Sequence, residues 1–509
     1  MQNIENRQKK LIMIALMLVL FFQTFNSTLI AAATPKIIAA IGGFEHLEWI
    51  FTVRMFVVTI TLLLAGSLSD QFGRRRLLLI GVIIFTIGTF LCGHATGLFQ
   101  FVLFRIIQAV GSGILTSTYL TTIGDLFNPR ERGFWQGLML GILGITGLFG
   151  PLLGGYIVDH YSWQWTFWLF SPFGMIAFVV IQKAYPKWEN KHKHKAIDYV
   201  GALLLSLFLF LLLLIFTLGK STYAWSSLQM TVLTLVAFVI LFLFIKWENQ
   251  LSFPILPLYL FKNRNFIVAN LTGVLLTVGM AGALIYSPFY IQGVLGLSAI
   301  QTGIVMMYAT LAMALSGLMS GFLLSKSLNF KIMALIGISF MAIGMYLHAT
   351  LTPSSSYTYI TILMILIGFG IGMNYPVLTI AIQNSVEQRY LGVATATMQT
   401  FRSLGSTIGV AIFGIVMSIS LNNQPAVSYP ELSDPQILLK KDQLESIRNS
   451  LSIQQVNAFD TQINSLKITF NDALSNVFGL GFILILMALL CVFLLQQMPI
   501  DSRSGKHEA

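Results

Sequence analysis

The chain has 509 residues, of which 56% are hydrophobic and only 10% are charged, and its formal net charge is +11. Too little polar surface is present to cover a soluble domain of this size, whereas a lipid-facing surface is itself apolar. The composition therefore indicates a membrane protein. The placement of its positive charge, described below, argues against a nucleic-acid-binding protein.

Apolar runs long enough for a helix to cross about 30 Å of hydrocarbon recur along the whole chain. Barrel strands would instead show alternating polar and apolar residues, so we expect an all-α membrane protein with fourteen transmembrane helices. The predicted spans are 11–33, 49–68, 77–95, 99–123, 134–158, 164–183, 199–218, 228–245, 266–291, 299–324, 331–349, 357–381, 394–420 and 472–496.

The segments between these spans differ in charge on the two sides of the membrane. With both termini in the cytoplasm, the inner segments carry 21 of the 30 Lys and Arg residues and the outer segments carry six. This is the positive-inside pattern, and it predicts a multi-pass protein with cytoplasmic N and C termini. The first run is long and leads directly into further spans, so no cleavable signal peptide is expected.

Cofactor chemistry finds no support in the sequence. Cys92 and Cys491 both lie within apolar runs, so neither a disulfide framework nor a zinc site is expected. The chain has no complete Gly-x-x-x-x-Gly-Lys-Ser/Thr phosphate loop, since Leu214 stands five residues before the Gly219-Lys220-Ser221 sequence, so we expect neither ATP nor another cofactor to drive it. A membrane enzyme would need a nucleophile, a metal cluster or an acid–base pair at one depth, and we expect no enzyme and no metal.

Two parts of the chain repeat weakly. "DLFNPRERG" follows span 4 and "NSVEQRYLG" follows span 12, while "GSLSDQFGRRR" after span 2 has a worn counterpart, "GFLLSKSLNFK", after span 10. We interpret spans 1–6 and 9–14 as related halves around a central cavity, with spans 7 and 8 inserted. The predicted divisions are the N-terminal half at 1–183, the inserted pair with its loops at 184–250, five helices of the C-terminal half at 251–420, an outer segment at 421–471, and the last helix and tail at 472–509.

The most polar residue within span 1 is Asn26, and embedded arginines follow in spans 2 and 4. Arg105 lies about six residues below the outer end of span 4, so roughly 9 Å deep, and Arg54 lies at a similar depth in span 2. Arginine in hydrocarbon costs several kcal/mol unless it finds a partner, water or the interface. Arg105 is therefore predicted to face a cavity, and Arg54 either does the same or extends to the outer headgroups.

The loop "GSLSDQFGRRR" is the strongest local signal. Gly66 allows close approach of helices, Gly73 permits a tight turn, and Asp70 and Arg74 place opposite charges at the cytoplasmic edge. A short basic loop that merely fixes orientation would explain the arginines but not the whole pattern. We interpret Gly66, Asp70, Gly73 and Arg74 as a conformational latch.

Span 5 contains a bare stripe of small residues. Gly144, Gly147 and Gly150 recur at every third position and suit close helix packing, and Pro151 weakens the hydrogen-bond ladder so that a bend is expected. Further polar or aromatic residues within spans are interpreted as cavity-lining candidates, with interhelical bonding or packing as the alternative for each. They are Gln108, Thr146, Tyr286, Tyr290, Asn374, Gln399 and Arg402.

The polar outer segment 421–471 contains a predicted helix. Asp434 and Pro435 form a favourable cap and first-turn pair, and Leu444, Ile447 and Leu451 recur at helical spacing. We expect a short amphipathic helix or hairpin that lies on the carrier, either as a structural lid or as a substrate-capturing element.

These motifs together resemble those of the major facilitator superfamily. The loop after span 2 is similar to its signature, in which the Asp and first Arg latch the halves together in one state. "RIIQAVGSG", with Arg105 and Gln108, resembles its span-4 motif, whose embedded Arg is linked to proton coupling in exporters. The span-5 motif associated with antiporters is matched by "GILGITGLFGPLLGG", which includes Gly147, Gly150, Pro151, Gly154 and Gly155.

Further segments narrow the resemblance to the fourteen-span drug:proton antiporters of the EmrB/QacA type. Such a resemblance implies a bacterial cell-membrane exporter of amphipathic drugs, dyes or lipophilic toxins, working by alternating access in exchange for protons. Its expected partners are a small amphipathic substrate, protons and membrane lipids, and a monomer is expected. The matching segments are "WQWTFWLFSP" (163–172), "IDYVGALLL" (197–205), "FKNRNFIVANLTG" (261–273) and "LGVATATMQTFRSLGSTIGVAIFG" (391–414).

The sequence departs from this pattern at the acid. The family commonly has Asp in span 1 where Asn26 stands, and none of the 19 acidic residues is deep in a span. In one account the titrating group lies nearer the outer mouth, at Asp472 or Glu48. In the other, Arg54 and Arg105 face the cavity and favour an anionic or zwitterionic lipid-like metabolite.

Overall fold

The computed structural model describes residues 6–41, 47–185, 198–221, 227–251, 258–297, 299–327, 330–387, 390–421, 441–451 and 453–496, together with residues 254, 256 and 438. Regular structure in these residues is helical. The helices are α1 (Asn6–Ile41), α2 (Leu47–Phe72), α3 (Arg74–Cys92), α4 (Leu98–Leu126), α5 (Pro129–His160), α6 (Trp165–Trp168), α7 (Ser171–Ala184), α8 (Tyr199–Ser221), α9 (Leu228–Glu248), α10 (Arg264–Phe289), α11 (Ala299–Ser327), α12 (Phe330–Ala349), α13 (Tyr357–Asn384), α14 (Leu391–Leu421), α15 (Lys441–Ser450) and α16 (Ile453–Phe493).

The predicted all-α membrane fold is confirmed. Twelve stretches of described helix are long and apolar enough to cross a membrane, and shorter apolar stretches occur in α2 (Val53–Gly66) and α8 (Val200–Leu212). Predicted span 6 is divided into α6 and α7, because a new helix begins at Ser171 with Pro172 in its first turn, where the missing N–H costs nothing.

The two six-helix groups pack in the same way, as their weak repeats suggest. In the N-terminal group the contacting pairs include α1–α5, α3–α4 and α3–α7. The matching pairs α10–α14, α12–α13 and α12–α16 are in contact in the C-terminal group. Helices α8 and α9 pack on each other and join α14 through apolar side chains such as Leu205, Phe244 and Leu404. The exact domain boundaries stay a prediction.

The groups meet along two glycine-rich seams, α5 with α11 and α2 with α14. A Cβ on Gly137 would lie 2.5 Å from the carbonyl oxygen of Gly317, and one on Gly133 would lie 3.0 Å from that of Gly321. Backbones approach this closely only because side chains are missing. These contacts lie toward the end of the bundle where α2 ends and α3 and α5 begin, which we call the basic end because it carries Arg74, Arg75 and Arg132.

Polar contacts also join the two groups at the basic end. Arg132 donates to the amide oxygen of Asn384 at 3.4 Å, and the side-chain amide of Gln383 donates to the carbonyl oxygen of Leu120 at 3.4 Å. Nearer the middle of the α2–α14 seam, the Thr59 and Ser403 hydroxyls are 2.7 Å apart. The chain is therefore held in a conformation that is closed at the basic end.

The outer segment contains α15 and the extended beginning of α16. The last helix begins at Ile453 rather than at the predicted 472, because the polar residues before the apolar run continue the same helix. Arg448 and Asp460 join the two helices at 2.8 Å, while Leu444, Ile447 and Leu451 pack against the C-terminal core. Asp434 and Pro435 lie outside the described residues.

Candidate functional site

A buried polar network joins α1, α3 and α4 in the N-terminal half. The side-chain amide of Gln108 donates to Asn26 Oδ1 at 2.9 Å and to Thr89 Oγ1 at 2.8 Å, while Arg105 Nη1 donates to Gln108 Oε1 at 2.6 Å. All four side chains are almost fully shielded, with Arg105 only 3% exposed. Asn26 and Arg105 therefore belong to one hydrogen-bonded chain, with Gln108 at its centre.

Close helix packing makes this network possible. A Cβ on Gly88 of α3 would lie 2.6 Å from the Cα of Gln108, so α3 and α4 touch backbone to backbone beside the amide. The polar groups are thereby shut off from lipid, where each unsatisfied group would cost several kcal/mol.

The network keeps unused hydrogen-bond donors. Arg105 Nε and Asn26 Nδ2 find no acceptor among the described residues. Arg54 on α2 is half-buried and lies close enough for its positive charge to act on Arg105. Guanidinium groups only donate, so two of them without a described carboxylate form a site suited to an acceptor or an anion.

A second set of polar residues continues from the first toward the basic end. The side-chain amide of Gln23 donates to Ser112 Oγ at 2.7 Å and to Thr116 Oγ1 at 2.8 Å. Gln23 precedes Asn26 by one turn on α1, and Gln108, Ser112 and Thr116 lie at successive turns of α4. This set was missed from the sequence, although the spacing of four residues was a signal that could have found it.

The C-terminal half has its own arginine site, built on α13 and α14. The Arg402 guanidinium lies 4.4 Å from the centre of the Tyr375 ring, and the Gln399 amide donates to the Tyr375 hydroxyl at 3.0 Å. Arg402 Nη1 finds no acceptor in the described part of the chain. Arg402 therefore links two helices through a cation–π contact and keeps a free donor.

Four other candidate residues pack between helices in this conformation. The Asn374 amide donates to the carbonyl of Gly370 at 2.8 Å, and the Thr146 hydroxyl donates to that of Leu143 at 3.0 Å. Both side chains are buried. Tyr290 is fully buried with its hydroxyl donating to Thr352 O at 2.7 Å, while Tyr286 packs against Phe413.

Among the predicted latch residues, Arg74 makes contacts within one half of the protein and Gly66 lies between the two halves. Arg74 donates to the Asp125 carboxylate at 2.8 Å and to the Ser69 hydroxyl, so it joins α3 to α4 within one half. The Arg74–Asp125 pair forms because Asp125 lies near the end of α4, directly beside the start of α3. The latch itself stays a prediction. Gly66 does lie between the halves, since a Cβ there would be 2.9 Å from the carbonyl of Gly392. The Asp70 side chain lies outside the described part.

Gly73 provides a test of the latch turn. Its φ is +90°, in a region that side chains rarely adopt, whereas Gly97 begins α4 with an extended φ of −158°. Both positions are open to a Cβ. We expect Gly73→Ala to lower the free energy of unfolding by about 1–3 kcal/mol, with Gly97→Ala as the matched control. Equal thermal unfolding midpoints for the two variants would contradict this role of Gly73.

The antiporter-motif glycines face two different helices. A Cβ on Gly147 would lie 3.0 Å from the Thr310 methyl on α11, whereas one on Gly150 would meet Thr28 on α1. The stripe therefore holds α5 against both halves rather than against one. Helix α5 continues without interruption through Pro151, Gly154 and Gly155, and the side chain of Pro151 is outside the described part.

The two predicted proton-coupling residues have different outcomes. Asp472 is exposed, about 31 Å along α16 from Phe493 if each residue rises 1.5 Å, which places it near one membrane surface. The Glu48 side chain lies outside the described residues. Among the carboxylates that the structure does describe, none forms an ion pair with Arg105 or Arg402.

Similarly packed six-helix groups, glycine seams between them and buried polar sites within each are typical of a membrane carrier. The family model described as "Major Facilitator Superfamily" matches residues 16–410. The chain belongs to the major facilitator superfamily and is one of its transporters.

Known relatives agree with this assignment. The chain is 33% identical to the multidrug transporter protein MdtP of Bacillus subtilis, over 99% of this chain and 96% of that protein. It is 31% identical to the riboflavin transporter RibZ of Clostridioides difficile, over 82% and 90%. Its fold is similar to that of the human organic anion transporter MFSD10, with a TM-score of 0.62, 14% identity and coverage of 94% and 99%.

Proposed function

We propose that this transporter exports amphipathic drugs, dyes or toxic lipophilic compounds by alternating access, in exchange for protons. The observation that carries the proposal is the similarity to a multidrug transporter along almost the whole of both chains. A shared fold alone would not identify a substrate class. Full-length similarity includes the inserted helices α8 and α9, which adds support.

The positive-inside pattern supports an orientation for this carrier. It favours placing the basic end and both termini in the cytoplasm of a bacterial cell. The conformation closed at the basic end then corresponds to the outward-facing state. Export requires the α5–α11 and α2–α14 seams to part so that substrate enters from inside, and backbone contacts at Gly133 and Gly137 suit such a separable interface because few side chains interlock.

The proton-coupling step is assigned to Asp472, because Asn26 does not titrate. An exposed carboxylate near the outer surface exchanges protons directly with the outer solution. We expect Asp472→Asn to abolish substrate-driven proton movement in liposomes, while exposed Glu445→Gln on α15 serves as control. Unchanged proton movement in Asp472→Asn would remove Asp472 from the mechanism and leave Glu48 as the next residue to neutralise.

A second candidate function is export of an anionic or zwitterionic lipid-like metabolite, with Arg54 and Arg105 facing the cavity. The free donor of Arg105 and the nearby charge of Arg54 favour it. The similarity to a riboflavin transporter also supports a carrier for a single metabolite. Because Arg105 is only 3% exposed, such a substrate would reach it after a change of conformation.

Transport into liposomes separates the two functions. Purified protein is reconstituted, and uptake is compared between a cationic dye and an anionic amphiphile of similar size. Uptake of the cation alone supports the drug-export proposal, and uptake of the anion alone supports the second function. If correctly folded protein transports neither the cationic dye nor the anionic amphiphile, both proposed functions are contradicted.

A further inference from the structure

An apolar groove lies between the inserted helices and the C-terminal half. Its volume is about 270 Å³, close to the lower end of the range for ligand pockets. Helices α8, α9 and α14 form its walls, and the segment around the 3₁₀ helix Leu258–Lys262 closes one end. Its main lining residues are Leu209, Leu241, Phe244, Phe261, Thr400 and Phe401.

Several polar groups near the groove bond to the protein itself, although the buried Thr400 hydroxyl has no hydrogen-bond partner among the described residues. Buried Glu248 accepts the backbone N–H of Leu256 and so folds the connecting segment against the end of α9. Trp247 Nε1 donates to Asp198 Oδ1 at 2.9 Å, which ties α9 to the start of α8. Thr397 donates its hydroxyl to the carbonyl of Val393 at 2.8 Å and presents its methyl group.

The position of the groove indicates a lipid-facing site. Leu209 lies ten residues from the start of α8, and Leu241 lies seven before the end of α9, so both are within about 15 Å of the basic end. That distance is half of the hydrocarbon thickness. A drug or flavin would leave heteroatoms unbonded against this wall, at a cost of several kcal/mol, whereas a hydrocarbon chain would not.

Positive charge surrounds the end of the groove nearest the membrane surface. Lys246 follows the lining residue Ile245, and Lys262 follows the lining residue Phe261. Both lysines are exposed, as is Arg264 at the start of α10. Two nearby carboxylates offset part of this charge, namely buried Glu248 and Asp198, which accepts from Trp247 and from the N–H of Gly201. The three exposed cations leave an excess of positive charge.

We propose that this groove binds one anionic phospholipid from the leaflet at the basic end. One acyl chain lies between α8, α9 and α14, and the phosphate-bearing headgroup contacts Lys246 and Lys262. Exposed Trp247 and Tyr259 flank the site at the depth where aromatic side chains meet headgroups. The bound lipid fills the space between the inserted pair and α14, so it stabilises their attachment.

Lipid retention by the purified full-length protein tests the proposal. The protein is washed in detergent containing phosphatidylglycerol or phosphatidylcholine with identical chains, and bound lipid is counted by native mass spectrometry. We expect one phosphatidylglycerol to be retained and phosphatidylcholine to be lost. The double variant Lys246→Gln/Lys262→Gln should bind it about 30-fold more weakly, since each lysine contributes about a factor of five.

Two further sets of variants distinguish the contribution of the acyl chain to lipid binding from that of the headgroup charge. Leu241→Trp fills the groove and should abolish retention, whereas Leu243→Trp on the lipid-facing side of α9 should not. Lys183→Gln, an exposed lysine at the end of α7, is the control for charge. Inorganic phosphate should not displace the lipid. Equal retention of both lipids, or wild-type retention by both the Leu241→Trp and the double-lysine variants, would overturn the proposal.

Discussion

Arg105→Ala is expected to reduce substrate transport by about 10- to 100-fold while the protein remains in the membrane at wild-type levels. Hydrogen bonds to charged groups contribute about 1.5–3 kcal/mol, and this one fixes the Gln108 amide that in turn holds Asn26 and Thr89. Without the guanidinium, Gln108 is free to rotate and the positive charge within α4 is lost. Initial rates of substrate flux in liposomes measure the effect.

Two variants make this result specific. Lys183→Ala removes an exposed cation at the end of α7 and should leave the rate unchanged. Arg105→Lys keeps the positive charge but lacks the planar donor group of arginine. Partial transport by this variant would show that the lost part of the activity depends on the geometry of the guanidinium group. Full transport by Arg105→Ala would exclude its role in transport.

Gly137→Leu is expected to have the second large effect, through the seam between α5 and α11. A Cβ there would lie 2.5 Å from the carbonyl oxygen of Gly317 and 3.0 Å from the Cα of Leu318, both backbone atoms that cannot rotate away. The added side chain therefore disfavours the state closed at the basic end. We expect transport to fall more than about 10-fold, because overpacking of this kind costs about 1–3 kcal/mol or more.

Distances between spin labels on α5 and α11 at the basic end measure this shift directly. Gly303→Leu is the matched control, because it lies on α11 and no atom lies within 4 Å of its Cβ position. The control should keep the wild-type distance distribution. An unchanged distribution in Gly137→Leu would show that the seam does not determine the conformation.

The transmembrane helices were predictable because lipid imposes a simple rule on them. Each must present about 20 apolar residues, and the fourteen predicted runs all correspond to described helices or helix pairs. The rule does not predict where a helix begins or ends outside the hydrocarbon layer. The start of α16 at Ile453 was therefore placed too late, since polar residues continue a helix in water as readily as apolar ones do.

The depth of the site residues in the membrane was predictable from the sequence, but the direction in which their side chains point was not. Counting residues along each span placed Arg105 and Arg54 at similar depths, and the structure joins Arg105 to Gln108 and, through it, to Asn26. Which face of a helix meets which neighbour depends on the rotation of both helices, which a single sequence does not show. For that reason Tyr375, the partner of Arg402, was missed, and Tyr290 was not distinguished from a cavity residue.

The most direct test of the account is proton movement coupled to substrate in a sealed vesicle. Purified protein is reconstituted in liposomes with an imposed pH gradient, and a trapped dye reports the internal pH while cationic dyes and anionic amphiphiles are added in turn. Exchange of a drug for protons predicts that the cationic dyes change the internal pH and that this change is lost in Asp472→Asn. Substrate flux with no change in internal pH would contradict proton exchange and would mean that Asn26 marks a carrier without proton coupling.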